Sequence, residues 1–297
     1  MKLHRLRGAE GFHTYYQREL GERAQSIFAS LLGSDELAPA RLNLHSSLNA
    51  REGFSHLVGT GVVDNVFQLP EGADAKQCDE QGLRLFYFMD PASVVAARAL
   101  PLAEARRVLD MCAAPGGKSL VLSESLSESA ELVCNDRSPM RRKRLTQVIR
   151  DYLPRGLRER VFVKGMDGRR IGLDESGAFD AILLDAPCSS EAHVLHDEKA
   201  LAQWSELRVK RLAKEQYALI TSALNALQPG GHLLYSTCAL APLENDGVIA
   251  HLIKKARHPV EILQPPLIIG ERTEYGIQIW PDKSSYGPIF YCLMRKI

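Results

Sequence analysis

The chain has 297 residues, 45% of them hydrophobic and 25% charged, with a formal net charge of +1; this is the composition of an ordinary soluble globule with room for one large α/β core and a smaller appendage. Its six cysteines form no C-x-x-C pair, which excludes a zinc ribbon and a disulfide scaffold and suits reduced thiols in a cytoplasmic protein. No stretch reaches the roughly 20 apolar residues of a membrane span, the opening "MKLHRLRGAEGFHTYY" holds no apolar run of signal-peptide length, and any anionic partner must be met by a local patch of charge.

In chain order, residues 1–100 read as a smaller, mainly helical N-terminal domain, with helices over 10–32 and 36–58 followed by loop-rich sequence. From Arg107 onward short β-type runs alternate with helical stretches. "RVLDMC" precedes a helix over 118–128, "ELVCND" one over 138–153, "RVFVKG" follows, "FDAILLDAPC" precedes a helix over 197–227, and "GHLLYSTC" one over 243–256. Pro229-Gly230-Gly231 stops the long helix and starts the strand after it. The alternation predicts, over residues 101–297, a parallel sheet with helices on both faces.

A basic stretch lies inside that region. Arg137 to Arg170 holds twelve Lys or Arg against three acids, and Arg208, Lys210, Arg211 and Lys214 form a second cluster. Such runs serve either as a solvated helix face or as a surface for a polyanion.

In open sheets of this kind ligands bind beyond the carboxyl ends of the strands. Those ends read Asp110-Met-Cys-Ala-Ala-Pro-Gly-Gly-Lys118, Asn135-Asp136, Gly165-Met-Asp167-Gly168, Asp185-Ala-Pro-Cys188 and Ser236-Thr-Cys238. The first closes like a phosphate-binding loop, but Cys112 stands where the pattern G-x-x-x-x-G-K-[ST] requires its first glycine. A glycine-rich turn followed by an acid at the end of the second strand suits close backbone approach and ribose hydroxyls, which makes Asp136 a ribose ligand or, failing that, a helix cap ahead of Ser138-Pro139. With neither a triphosphate loop nor a dinucleotide G-x-G-x-x-G, the adenosine ligand that remains is S-adenosylmethionine, with Asp167 and Asp185 along its adenine and methionine sides. Cys188 and Cys238 are either small buried residues or nucleophiles. Beside a methyl donor they suit one reaction in particular, because C5 of cytosine becomes a nucleophile only after a thiolate has added to C6.

"DMCAAPGGKS", "DAPCSS" and "YSTCAL", in that order, resemble the signature motifs of the Sun-type RNA (cytosine-5) methyltransferases over about residues 80–297, and "FHTYYQRELGERAQSIFASLL" and "YGPIFYCLMRKI" resemble the small mitochondrial ribosomal-RNA member of that family. The resemblance implies a Rossmann-like methyltransferase sheet. It implies an S-adenosylmethionine site made of Cys112, Ala113, Ala114, Pro115, Gly116, Gly117, Lys118, Asp136, Arg141, Asp167, Gly168 and Asp185. It also makes Cys238 the nucleophile, Cys188 the residue that assists product release, and Asp185 the third member of the catalytic set. The expected substrate is ribosomal RNA, with transfer RNA or a non-catalytic ribosome-assembly role as alternatives, in a protein expected to act as a monomer without metal or membrane. Delivery of the RNA by a protein partner is left open.

One stretch departs from the commoner family pattern. After Pro187-Cys188 many members read Ser-Gly-x-Gly, whereas this chain reads Ser-Ser-Glu-Ala-His-Val-Leu-His, an expected RNA contact. His193, His196, Asp197 and Glu198 within and after it read as a polar loop and helix start, since no metal motif surrounds them.

Overall fold

The computed structural model describes residues 6–33, 39–47, 58–69, 76–255 and 258–297. The expected helix over 10–32 is two helices, Gly8–Leu20 and Arg23–Leu32, separated at Gly21, whose φ of +62° suits a residue without Cβ. The helix expected over 36–58 is corrected: Pro39–Leu42 is a strand, β1, and residues 48–57 lie outside the described residues. β1 pairs on both sides with antiparallel neighbours, β3 (Val66–Gln68) and β4 (Phe86–Phe88), and β2 (Val58–Gly59) joins β3. Ala40 and Leu42 share one apolar cluster while Arg41 between them, also buried, pairs with Glu124, so tertiary pairing overrides the helical reading.

The large sheet runs β11-β12-β13-β9-β8-β5-β6-β7, with β10 on β13. Its parallel part is β5 (Arg107–Asp110), β6 (Glu131–Asn135), β7 (Val161–Lys164), β8 (Phe179–Asp185) and β9 (Leu227–Thr237). β13 (Ile289–Lys296) adds antiparallel to β9 and carries β10 (Val260–Leu263) and β12 (Ile277–Ile279), which pairs with β11 (Glu271–Arg272).

Both faces of this sheet are covered, which is why its strands read as continuous apolar runs. Val108, Leu132, Leu183 and Leu234 pack under the helices Pro91–Arg98, Gly117–Ser123 and Pro139–Tyr152. The alternate residues Leu109, Val133, Ile182, Leu184 and Leu233 pack under Gly168–Asp174, Glu206–Ala226 and Asp246–Lys255. The helix expected over 197–227 is broken into Glu198–Ala202 and Glu206–Ala226, and a further short helix, Glu191–His196, precedes it. Caps set several helix starts: Ser138 accepts from Arg141 N with Pro139 at the first position, and Ser205 accepts from Arg208 N.

The first two helices are bound into this body. Phe12, Tyr15, Tyr16, Ile27 and Phe28 share one apolar cluster with Val194, Trp204, Val209 and Leu240, each large side chain contributing about 1.5–3 kcal/mol by burial. No helix of the described residues is long and apolar enough to cross a membrane.

Candidate active site

The chain leaves β5 towards β6 and β7 and then crosses back to β8 on the other side of β5. Where strand order reverses, the connections at the carboxyl ends diverge and a crevice opens. Every rim segment singled out above meets there.

Cys112 borders two cavities, of about 110 and 230 Å³. The smaller is lined by Asn135, Asp136, Arg141, Asp167, Gly168 and Pro187, the larger by Asp110, Ala113, Ala114, Pro115, Lys118 and Asp185 among others. The turn between them depends on its glycines. A Cβ on Gly117 would lie 2.8 Å from the Tyr87 ring, and Gly116 holds φ +120° with Val148 2.9 Å from where a Cβ would stand.

Asp136 is 3% exposed and fixed by its own loop, Oδ1 accepting from Ser138 N at 2.8 Å. Its Oδ2 lies 2.9 Å from Arg141 Nη1, an ion pair whose angle leaves that oxygen without a hydrogen bond. Arg141 also donates to the Ala114 carbonyl, so one guanidinium ties the second strand's acid to the glycine turn. Ser138, not Asp136, caps the Pro139–Tyr152 helix. Asp167 does act as a cap, for Gly168–Asp174, and is held by Arg169, whose hydrogen bonds outweigh partial burial and bring its carboxyl down to about 2.

Asp185 sits between Lys118 Nζ, 2.7 Å from Oδ2, and Ser236 Oγ, which donates to Oδ1 at 2.8 Å. Burial alone disfavours the Lys118 ammonium, but Asp185 and the neighbouring acidic groups outweigh it and lift the residue above its ordinary value. Removing Asp185 would leave the Lys118 ammonium, whose side chain is 12% exposed, without its partner, whereas Asp185 at 34% exposure keeps part of its hydration when Lys118 is removed.

Cys188 and Cys238 come from the loops after β8 and β9. Their sulfurs are 3.0 Å apart, both thiols are free, and Ser190 Oγ lies 3.3 Å from Cys238 Sγ and 3.5 Å from Cys188 Sγ. The two titrate as a pair: a hydrogen bond from Cys188 brings Cys238 down, and the same bond together with burial pushes Cys188 well up. The direction within the pair favours negative charge on Cys238 over Cys188. Burial raises Cys112 and Cys134 far above the thiol range, which suits neither as a nucleophile; Cys134 packs in the core and Cys112 lines both cavities.

Sequence reading placed Asp110 and Asn135 at strand ends without giving them a role, and gave none to Glu191 and Glu244. Asp110 ends β5 as the other acids end their strands; it is fully buried, Ser119 donates to its Oδ2 at 2.6 Å, its Oδ1 has no partner, and burial raises it to about 7. Asn135 stitches three loops, its amide donating to the Met111 and Met166 carbonyls while its oxygen accepts from Met166 N. Glu191 and Glu244, both fully buried, stand behind the thiols. Glu191 accepts from Tyr16 and Ser189 hydroxyls and from Leu240 N at 2.9 Å, and Glu244 from Ser189 N at 3.0 Å and Gln216 Nε2 at 2.8 Å.

The stretch after Cys188 expected as a polar loop is instead the Glu191–His196 helix, on which His193 and His196 are exposed, and Asp197 caps the following helix. Among the described residues no group of three or more His, Cys, Asp or Glu is placed to hold a metal ion. Of the basic stretch, Arg137, Lys143, Arg144, Arg169 and Arg170 are exposed, as are Arg211 and Lys214, whereas Arg142 donates to the Asp136 and Arg137 carbonyls and is a structural residue.

The chain is 39% identical over 234 residues to the 5-cytosine rRNA methyltransferase NSUN4 of Bos taurus, a match covering 73% of this chain and 61% of that one. It is 34% identical over 238 residues to the tRNA (cytosine(34)-C(5))-methyltransferase, mitochondrial, of Mus musculus, covering 76% and 68%. It spans 57% to 61% of the length of the NSUN4 sequences it matches. Among solved structures, a methyltransferase homolog protein from Pyrococcus horikoshii superposes with a TM-score of 0.77 at 25% identity, covering 96% of this chain and 94% of that one. The cytoplasmic placement expected from the cysteines and the lack of an apolar leader is overturned: the matched relatives include proteins named mitochondrial, and free thiols do not distinguish the two compartments. Residues 97–295 match the family described as 16S rRNA methyltransferase RsmB/F, and with motifs, fold and rim in agreement the chain belongs to that family.

Proposed function

We propose that this protein transfers a methyl group from S-adenosylmethionine to carbon 5 of cytosine in RNA, with ribosomal RNA as the substrate class, through a covalent bond between Cys238 and C6 of the base. The observation that carries this reading is the pair of free thiols 3.0 Å apart beside an anchored carboxylate. Transfer to an amino or hydroxyl group needs no thiol, and a non-catalytic assembly factor needs none either, whereas C5 of cytosine needs a covalent nucleophile at C6.

The rim fits the cofactor. Two buried carboxylates that line adjoining cavities have acceptor capacity left: Asp110 Oδ1 has no partner, and Asp136 Oδ2 has the Arg141 ion pair but no aligned hydrogen bond; an ammonium and a ribose diol are donors that suit such acceptors. Asp136 and Arg141 would hold the ribose, Asp167 and Gly168 the adenine side, and the turn Cys112–Lys118 with Asp110 and Asp185 the amino-acid side. When bound, S-adenosylmethionine supplies a methyl group activated on a sulfonium.

The rest falls to the protein. A cytosine in a helix hides C6, so the target must lie in a loop or be flipped out. Cys238, as thiolate, adds to C6 while Asp185 hydrogen-bonds the base edge and favours protonation at N3, which makes C5 electron-rich. Once C5 is methylated a base must take its remaining proton; with Cys238 bound to C6 as a thioether, Cys188 can release its own proton to solvent and accept that one, and Cys238 then leaves as thiolate by elimination. The exposed basic residues hold RNA phosphates, and residues 1–100 extend that surface ahead of the catalytic domain at 101–297. Relatives named as rRNA enzymes favour ribosomal RNA, and a relative named for transfer RNA keeps that substrate as the alternative. The test is bisulfite sequencing after incubating the protein and S-adenosylmethionine with small-subunit ribosomal RNA or with transfer RNA. New protected cytosines are expected in the ribosomal RNA, protection confined to transfer RNA would change the substrate, and none in either would overturn the reading.

A further inference from the structure

Ser190 stands at an unusual point of the backbone. With φ 54° and ψ 59° it is one of two non-glycine residues at positive φ among those described, a conformation a glycine would adopt without strain. It also opens the Glu191–His196 helix without giving it a side-chain cap. The hydroxyl points elsewhere, 3.3 Å from Cys238 Sγ and 3.5 Å from Cys188 Sγ.

Resting on the methyltransferase reading above, we propose that Ser190 is the positioning residue of the thiol pair, its hydroxyl donating to Cys238 so that this sulfur, and not Cys188, carries the negative charge. The three groups form a triangle with one proton each. When Cys238 gives up its proton, the two that remain, on Cys188 and Ser190, can both point at the same sulfur, and donors aimed at an anion are the strong kind of hydrogen bond. The left-handed backbone is what turns the side chain back over the sulfurs. Asp185 faces Cys238 unfavourably from β8, with Lys118 offsetting it from the glycine turn, and Glu191 lies behind both thiols, so donors near the sulfur have a carboxylate field to overcome.

The conformation makes the inference separable from folding. Ser190→Gly relieves the strained backbone and deletes the hydroxyl; Ser190→Ala keeps the strain and deletes it; Ser190→Thr keeps a hydroxyl. The readout is the rate of Cys238 alkylation by iodoacetamide against pH, located by peptide mass spectrometry, in protein without RNA or S-adenosylmethionine. Ser190→Gly should melt at or above wild type yet move the alkylation midpoint up by about one pH unit, the scale on which a hydrogen bond to the charged form acts. Ser190→Ala should move it likewise, and Ser190→Thr should return it towards wild type. An unmoved midpoint in both Gly and Ala variants, with wild-type RNA methylation intact, overturns this inference and leaves the proposed function standing. A moved midpoint in a protein that methylates no RNA supports the thiol-pair assignment while the proposed function falls.

Discussion

Glu244→Gln should make the protein more stable at pH 8 than wild type, and the gain should vanish towards pH 5. Glu244 is fully buried; its Oε2 accepts from Ser189 N and Gln216 Nε2, but its Oε1 has no partner, and neither has Gln216 Oε1. Two orphaned acceptors on hydrogen-bonded side chains lack a donor, which a proton on the carboxyl would supply. Burial first, then the nearby Glu191, raise the group from 4.5 to about 7. The native protein thus keeps a proton between those values that the unfolded chain has lost. Stability from this group is complete below pH 4.5, falls as pH rises to 7, and is level above. At about 1.4 kcal/mol per pKa unit the loss is about 3 kcal/mol. A glutamine is neutral throughout, so the variant's stability relative to wild type should climb by about that amount from pH 5 to 8. Asp110, also raised to about 7, contributes the same kind of slope to both proteins and cancels in the difference. Urea unfolding at pH 5, 6, 7 and 8 measures it. A difference independent of pH would mean that Glu244 titrates normally, and a variant that weakens as pH rises would mean that the cluster needs the charge.

Three further outcomes follow from the site. Cys238→Ala should abolish methylation and any covalent RNA adduct, whereas Cys188→Ala should accumulate an adduct that survives denaturing gels; the reverse pattern would exchange the two roles, and wild-type methylation in both would remove covalent catalysis. Asp136→Ala should weaken S-adenosylmethionine binding by about 1–3 kcal/mol in calorimetry, the value of hydrogen bonds to a carboxylate, and tight ATP binding with none of the methyl donor would refute the cofactor assignment. Arg144→Ala, Arg211→Ala and Lys214→Ala should each lower the slope of log RNA affinity against log salt by somewhat under one unit; an unchanged slope in the triple variant would leave these residues as a solvated face.

The rim was legible in the sequence because of how doubly covered strands are written. Val108-Leu109 and Ile182-Leu183-Leu184 are apolar without alternation, so each strand ends visibly at the charged residue that closes this run, at Asp110 and at Asp185. The antiparallel strands β10, β11 and β12 have no such mark; they are two to four residues long, and only their pairing with each other and with β13 makes them strands. β1 was misread because four residues carry too little pattern to outvote their neighbours. Two features of the site left no trace. The backbone angle of Ser190 changes no periodicity, and the Tyr16–Glu191 hydrogen bond spans 175 residues of chain.

Those long-range bonds explain how two loops can hold a pair of sulfurs in contact. The ladder between β8 and β9 places Asp185 opposite Ser236, and Ala186 N donating to the Ser236 carbonyl at 2.8 Å closes it. Both cysteines lie beyond that point, where sheet hydrogen bonding no longer sets their separation. Glu191 takes over, one oxygen on Ser189 beside Cys188 and the other on Leu240 N beside Cys238, while Glu244 holds Ser189 N from the far side. A buried carboxyl group needs hydrogen-bond partners around it, and the third donor to Glu191 is Tyr16, on the first helix described. The segment read from sequence as a separate N-terminal unit therefore supplies part of the support on which the thiol pair rests. Its aromatic cluster around Trp204 fixes the helix, the helix fixes Tyr16, and Tyr16 helps hold Glu191 between the two loops.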